Sequence, residues 1–213
     1  MNLRLVLQTA AGAVLICVAS APSHAVETTA SAISPQVLKA KTDYCKTCHG
    51  VDAQGFRGAA PMPRLAGQQP EYIKNQLQAF IARTRTNPVM NNVAHVLSPA
   101  MVTALSQYFQ NLHPKPLGGG ETSPELVAEG KSIFQEGIAS QNVPPCASCH
   151  GQDAKGNGEF PRLAGQLPDY TFRKLTGWDE ERHSESSTIM QPIAHELKPE
   201  QIKAVAAYVS QLQ

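Results

Sequence analysis

The chain has 213 residues, enough for one large domain or two small ones. Hydrophobic residues make up 42% of it and charged residues only 16%, which excludes an intrinsically disordered protein and leaves enough apolar side chain for a buried core. Its 18 basic and 17 acidic side chains give a formal net charge of +1, so it lacks the basic excess of a nucleic-acid-binding protein.

The first 25 residues have the pattern of a secretory signal peptide. Arg4 precedes an apolar run, Leu5 to Ser20, and Ser23-His24-Ala25 places small residues at the two positions that signal peptidase reads. The run is too short, and too often interrupted by polar residues, for a retained membrane anchor. We therefore predict cleavage after Ala25 and export to the periplasm, with no transmembrane segment in the mature chain.

Each half of the mature chain begins with a helix start signal. Ser34-Pro35 and Ser123-Pro124 are typical of an N-cap followed by a first-turn proline. A tight cysteine motif follows each signal: "DYCKTCHG" at 43–50 and "PPCASCHG" at 144–151. All the cysteines of the mature chain lie in these two motifs.

The motif Cys-x-x-Cys-His indicates covalent attachment of a c-type haem. On one helical turn, positions i, i+3 and i+4 face the same way, so two thiols can be linked to the haem vinyl groups while the imidazole reaches the iron. The sequence thus predicts two haem c groups. Their predicted attachment and proximal iron-binding residues are Cys45, Cys48 and His49 in the first half and Cys146, Cys149 and His150 in the second.

Two other interpretations of the cysteines compete with haem attachment. The four thiols could form one zinc site, or either pair could form a redox disulfide. A single zinc site would have to bring together two motifs that belong to separate repeats. Neither interpretation requires a histidine after the second cysteine both times, so haem attachment is favoured.

Further along, the two halves repeat each other. "PRLAGQQPEY" at 63–72 matches "PRLAGQLPDY" at 161–170, and the segment 89–108 matches 189–208. The chain is therefore a duplicated domain of roughly 90 residues. The proline- and glycine-rich stretch 111–125 is the predicted linker. We predict a signal peptide at 1–25, a first domain at 26–116 and a second domain at 117–213.

Each repeat also ends in a predicted amphipathic helix. Pro99 and Pro199 stand at first-turn positions, and an apolar stripe of helical period follows each of them. No long apolar–polar alternation suggests a sheet. The sequence predicts an all-α fold with long loops, in which each half has little core of its own and is completed by its haem.

The sixth iron ligand decides between electron transfer and small-ligand chemistry, because only an open position binds small molecules. Of the methionines in the first half, Met90 alone has a methionine, Met190, at its repeat position. The rivals are His95 and His195, which are equally well repeated. Thioether sulfur is the softer donor and raises the potential; a repeated methionine can also be simple core packing.

Over essentially the whole mature chain, these features resemble the dihaem cytochrome c4 family. The resemblance rests on the two haem motifs, the repeated "PRLAGQ" and the terminal segments "LSPAMVTALSQYF" and "LKPEQIKAVAAYV". It implies two tandem cytochrome c domains related by a pseudo-twofold axis, with the haem propionate edges facing each other across the domain interface. It also implies histidine–methionine ligation at both irons, with Met90 and Met190 as distal ligands.

The resemblance further implies roles for residues around each haem. Pro63 and Pro161 match the proline whose carbonyl accepts a hydrogen bond from the proximal histidine, which fixes the ring orientation. Arg64 and Arg162 are candidates for contact with the propionates. The alternative is that "RLAGQ" is a turn whose polar side chains are solvated.

The resulting prediction is a periplasmic dihaem electron carrier, not an enzyme. Its partners would be redox proteins, namely a donor complex and an acceptor such as a terminal oxidase. Peripheral association with the membrane is compatible with this prediction. A second hypothesis is the dihaem subunit of a larger dehydrogenase, such as a flavocytochrome sulfide dehydrogenase. The enzyme-class hypothesis is a dihaem peroxidase or thiosulfate-oxidising cytochrome; the repeated methionines argue against the peroxidase, which needs an open or switchable site.

Charge is unevenly divided between the halves. From Val26 to Pro116 there are nine Lys/Arg and four Asp/Glu, net +5, whereas the remainder has eight and thirteen, net −5. Two domains with radii of about 13 Å have centres roughly 25 Å apart, beyond the Debye length of about 8 Å. The pattern therefore predicts an acidic partner at the first domain, and a basic partner or membrane-complex surface at the second.

The predicted processing and cofactor content fix the mass of the mature protein. Under denaturing conditions the intact mass should equal residues 26–213 plus two haems, because thioether bonds survive unfolding. Mass spectrometry of the exported protein measures this directly. A mass with one haem or none would contradict the assignment of the two motifs.

Overall fold

The computed structural model describes residues 33–120, 122–178 and 188–213. The predicted signal peptide lies outside the described residues, as do residues 179–187 in the second half. Within the described part the chain is all-α, with isolated β-bridges as its only β-structure. None of the helices in this part combines the length and the apolar character needed to cross a bilayer.

Four helices form the first half and five the second, over the residues the structure describes. The first-half helices are α1 (Pro35–His49), α2 (Pro70–Ile81), α3 (Pro88–Ala94) and α4 (Pro99–Gln110). The second-half helices are α5 (Pro124–Glu136), α6 (Ala147–His150), α7 (Pro168–Thr176), α8 (Met190–Glu196) and α9 (Pro199–Gln211), with a short 3-10 helix at Ala139–Gln141. Thus α2, α3 and α4 correspond to α7, α8 and α9.

The predicted helix starts are confirmed. The Ser34 hydroxyl accepts a hydrogen bond from the Val37 N–H at 3.3 Å, and the Ser123 hydroxyl accepts one from the Leu126 N–H at 3.2 Å. A proline occupies the first turn of both helices, where no intrahelical partner is needed for its missing N–H. The linker contains no helix, since α4 ends at Gln110 and α5 begins at Pro124.

The hydrophobic residues form two separate cores. One draws only on first-half residues and centres on Leu105, Val102 and Phe109 of α4; the other draws only on second-half residues and includes Phe134 and Val209. The described residues of both halves nevertheless belong to one compact unit. Each repeat therefore has its own core, and the contacts between the halves include polar ones, such as Gln166 with Arg64, and the apolar side chain of Leu167 beside Gly55.

In the second half, α5 and α9 cross at a glycine. A Cβ at Gly130 would overlap the Ala204 carbonyl, so only glycine lets the two backbones approach this closely. The ring of Phe134 packs against that of Tyr208, with centroids 5.5 Å apart, one turn further along the same contact. This crossing fixes the position of α5, which leads into the second cysteine motif.

Candidate haem-binding sites

The two cysteine motifs occupy equivalent places in the halves. Cys45, Cys48 and His49 lie on the last turns of α1, whereas Cys146 precedes α6 and Cys149 and His150 lie on it. The four thiols form no disulfide. The first cysteine of each motif is half-buried and the second is exposed, so both copies present their thiols in the same way.

The first thiol of each motif, on Cys45 and Cys146, lacks the environment of a reactive cysteine. Burial raises the pKa of the Cys45 thiol to about 11 and that of the Cys146 thiol to about 11. A redox-active Cys-x-x-Cys pair has a lowered pKa instead, which provides its thiolate nucleophile. The described residues also bring no three His, Cys, Asp or Glu side chains together as a metal cluster. Neither the disulfide nor the zinc interpretation is supported.

Both motif histidines are held by a proline carbonyl. Nδ1 of His49 lies 2.8 Å from the Pro63 carbonyl oxygen, and Nδ1 of His150 lies 2.9 Å from that of Pro161. Burial lowers the pKa of both rings, and the carbonyl contact opposes this only in part. A neutral imidazole that donates its Nδ1 proton keeps the Nε2 lone pair for a metal, which is the form an iron ligand needs.

Arg64 and Arg162 lie close to each other at the boundary between the halves. Arg64 is only 4% exposed. Its Nε donates to the Ala66 carbonyl at 3.0 Å and its Nη2 to the Pro114 carbonyl at 2.8 Å, while its Nη1 is buried without a hydrogen-bond acceptor. Burial, followed by the positive charge of Arg162, lowers the pKa of Arg64 to about 10.

This arrangement fits an anionic cofactor. The ion pairs found among the described residues do not include Arg64 or Arg162, although the carboxylate of Asp153 opposes the lowering of the Arg162 pKa by burial. Two cations that are removed from water and repel each other are stabilised by nearby carboxylates. The Nη1 of Arg64, which has no acceptor, can donate a hydrogen bond to one such carboxylate. The propionates of two haems attached at the neighbouring motifs meet this requirement, so the residues present fit the group.

The two halves are joined by a reciprocal pair of glutamines, which we call the glutamine clasp (Gln68 and Gln166). Gln68 accepts from the Arg162 N–H at 2.7 Å and donates to the Arg162 carbonyl at 3.0 Å. Gln166 accepts from the Arg64 N–H at 2.9 Å and donates to the Arg64 carbonyl at 3.2 Å. Both glutamines are buried, so their side chains are not the solvated turn residues that the sequence left open.

Tyr72 and Tyr170 occupy equivalent positions in the two repeats, and both lie near Arg85, a residue that the sequence did not single out. Nη2 of Arg85 lies 3.4 Å from the Tyr170 hydroxyl, and its Nη1 donates to Oε1 of Gln76 at 2.6 Å. Burial raises the pKa of Tyr72 to about 12, although the charge of Arg85 opposes it. Arg85 has no arginine at its repeat position, so a comparison of the repeats could not find it.

The rival distal ligands differ in exposure. Met90 on α3 is half-buried and packs against the first-half core, and Met190, the first residue of α8, is also half-buried. His95 and His195 are both exposed. Asn87 fixes the start of α3, since its side-chain oxygen accepts from the Val89 N–H at 3.1 Å and the Met90 N–H at 3.0 Å.

Comparison with known proteins gives a consistent result. A family model described as Cytochrome c matches residues 127–213. The chain is 36% identical to a cytochrome c4 of Thiocapsa roseopersicina, over 84% of this chain and 92% of the relative. It is 35% identical to a thiosulfate dehydrogenase electron acceptor of Thiomonas intermedia (strain K12), over 78% of this chain and 77% of the relative. It also resembles the crystal structure of reduced recombinant cytochrome c4 from Pseudomonas stutzeri, with a TM-score of 0.72 and 28% identity, over 84% of this chain and 99% of that one.

The glutamine clasp generates a stability prediction. Gln68→Ala leaves the half-buried N–H and carbonyl of Arg162 without their partners, and an unsatisfied buried polar group costs roughly 1–3 kcal/mol. We expect the free energy of unfolding in urea to fall by that amount, with Gln107→Ala, an exposed glutamine on α4, as the control. Equal denaturation midpoints for the two variants would show that the clasp does not stabilise the interface.

Proposed function

Because the chain belongs to the cytochrome c4 family and is a dihaem electron carrier with two covalent c-type haems, we propose that it shuttles electrons between redox proteins of the periplasm with both irons ligated by histidine and methionine. The observation that carries this proposal is the repeated pairing of a buried, neutral motif histidine with a proline carbonyl. A second supporting observation is the half-buried position of Met90 and Met190.

The proposed roles divide between the elements. The thiols of each motif hold a haem by thioether bonds, and the proline carbonyls keep Nε2 of His49 and His150 aimed in one direction. When bound, each haem supplies an iron that changes valence by one electron. The buried surroundings of the two histidines exclude water, which lowers the energy needed to rearrange solvent as charge changes.

Exposure favours methionine over histidine as the distal ligand. A ligand to a buried iron must itself face the interior. The half-buried sulfur of Met90, held at the capped start of α3, meets this condition, whereas the exposed side chain of His95 does not. The same contrast holds for Met190 and His195 in the second half.

We further propose that the halves are two cytochrome domains, 26–116 and 117–213, with Arg64 and Arg162 holding the propionates at their boundary. The separate cores of the halves support this division. Carboxylates beside two buried guanidinium groups would be stabilised in their charged form. The pair would thus place the two cofactors close together and let electrons pass between the domains.

Leucine substitution tests the ligands, because leucine keeps the volume of methionine and removes the sulfur. We expect Met90→Leu and Met190→Leu each to halve the sulfur-to-iron charge-transfer absorption of the ferric protein and to lower the potential of one haem. Met62→Leu and His95→Gln are the controls and should leave the band unchanged. If the absorption band is unchanged in Met90→Leu or Met190→Leu, the methionine replaced in that variant is not an iron ligand.

A second candidate function is the acceptance of electrons from a thiosulfate dehydrogenase. It rests on the 35% identity to a protein named thiosulfate dehydrogenase electron acceptor. In that role the chain would take up electrons that the dehydrogenase removes from thiosulfate, and would not itself bind thiosulfate.

Reductive titration separates these functions from the enzyme alternatives. As an electron carrier, the ferric holoprotein should take up two electrons per chain and show no turnover with peroxide or thiosulfate alone. Addition of a purified thiosulfate dehydrogenase with thiosulfate should reduce it only if the second candidate is correct. Catalytic turnover by the isolated chain would contradict the carrier proposal.

A further inference from the structure

A groove of about 510 Å³ lies beside the first cysteine motif. Its walls are Lys46 and Thr47 of α1, the loop 50–57 and the linker residue Leu117. Thr47 directly precedes the exposed Cys48, and its hydroxyl lies 3.8 Å from the Cys48 sulfur. A molecule in this groove would therefore lie next to a cysteine that is predicted to carry haem.

The groove exposes large apolar side chains to solvent. Val51 is 75% exposed, Phe56 58% and Leu117 41%. Single exposed apolar residues are common on protein surfaces, but several lining one groove mark an interaction site. The three side chains come from a loop and a linker that are distant in sequence, so their meeting is a property of the folded chain.

The second half provides an internal comparison, because it contains the same loop. Ala53 and Ala154 are both fully buried at a φ of 56°. The N–H of Gly55 and that of Gly156 each donate to the carbonyl of their motif histidine at 2.8 Å. The two loops therefore share one backbone conformation from the motif histidine up to the bridge residues Phe56 and Asn157.

The side chains on this shared backbone differ. Positions 51 and 56, valine and phenylalanine in the first half, are Gln152 and Asn157 in the second. Both second-half side chains are exposed, and the loop folds in the same way with them. The fold does not require apolar residues at positions 51 and 56, so their presence in the first half needs another reason.

The same comparison applies to the charges of the groove. Lys46 corresponds to Ala147. Arg57 lies in the segment 57–61 between Phe56 and Met62, for which the second half has only Gly158 and Glu159 between Asn157 and Phe160. A hydrogen bond to the Tyr108 hydroxyl raises the pKa of Lys46 and keeps it cationic, with Asp43 3.6 Å away.

Arg57 also shapes the groove. Its Nη2 donates to the Leu117 carbonyl at 2.8 Å and to the Gly118 carbonyl, which holds the linker in place as a wall. The segment 39–57 contains four Lys/Arg and two Asp, which gives it a formal net charge of +2. The groove is therefore apolar at its walls and basic in its surroundings.

We infer that this groove is the docking site for an acidic redox protein, which inserts an apolar side chain between Val51 and Phe56 and places its carboxylates near Lys46 and Arg57. The inference rests on the proposed electron-carrier function and names the site and chemistry of one partner. Charge complementarity selects an acidic occupant, since the whole first half carries net +5. The apolar walls supply affinity once the charges have steered the encounter.

The experiment uses the holoprotein with plastocyanin, an acidic blue-copper protein, as the probe. One electron leaves the ferrous chain and reduces Cu(II) to Cu(I), and the second-order rate is measured against ionic strength. The test variant, Val51→Gln with Phe56→Asn, installs the residues of the second half. The matched control is Phe160→Asn, which removes an exposed aromatic ring from the second half.

We expect the double variant to slow the reaction by about tenfold, as loss of an interface hot spot does, and the control to change it by less than about twofold. Lys46→Ala should flatten the dependence on ionic strength. In the NMR spectrum of the holoprotein, plastocyanin should shift the amide signals of loop 50–57 more than those of loop 151–158. Equal rates for both variants, or shifts centred on the second half, would overturn the inference.

Two further measurements separate this inference from its alternatives. The acidic second half of another copy is a competing occupant, and sedimentation equilibrium would reveal it as a dimer that the double variant dissociates; that result would overturn docking of a redox protein. Reduction and oxidation by small inorganic reagents test the carrier function by itself. If the wild type exchanges electrons with these reagents but the double variant reacts normally with plastocyanin, the groove inference alone fails.

Discussion

Two neighbouring guanidinium groups at the boundary between the halves set the central constraint of this structure. Arg64 is buried and Arg162 half-buried, and burial followed by the charge of Arg162 lowers the pKa of Arg64; the carboxylate of Asp153 acts on Arg162 alone. A protein can maintain such a pair only if the backbone around it is fixed and anionic groups are supplied. The glutamine clasp fixes the backbone by pairing the N–H and carbonyl of each arginine with the opposite half. The haem propionates are the anions that we propose.

The duplication lets one half serve as a reference for the other. Features present twice, such as the histidine–proline hydrogen bond, reflect what each haem site needs. Features present once distinguish the two halves from each other. Arg85 beside Tyr170, and the groove around Phe56, belong to this second group. The repeated framework thus differs between the halves both at a buried contact, around Arg85, and on the surface, around Phe56.

Local signals in the sequence were reliable where a short segment decides its own conformation. Ser34-Pro35 predicts a capped helix because the serine hydroxyl and the proline ring act within one turn. The haem motif is equally local, since its chemistry needs only residues within five positions. How the two halves contact each other could not be predicted from the sequence in this way. Gln68 recurs as Gln166, but nothing in the neighbouring residues distinguishes a solvated glutamine from one that binds the opposite half.

The sequence by itself determined the all-α class, the duplication, the two covalent haems and the identity of the family. Each of these follows from residue types and their spacing along the chain and depends on no contact between distant residues. The tertiary structure decided which polar residues are buried, since burial depends on what packs against a segment from elsewhere in the chain. It placed Arg64 against Arg162, paired both arginines with the clasp and brought Leu117 of the linker to Phe56. Residues 61–102 positions apart meet in these contacts, and their electrostatic and apolar interactions exist only in the folded chain.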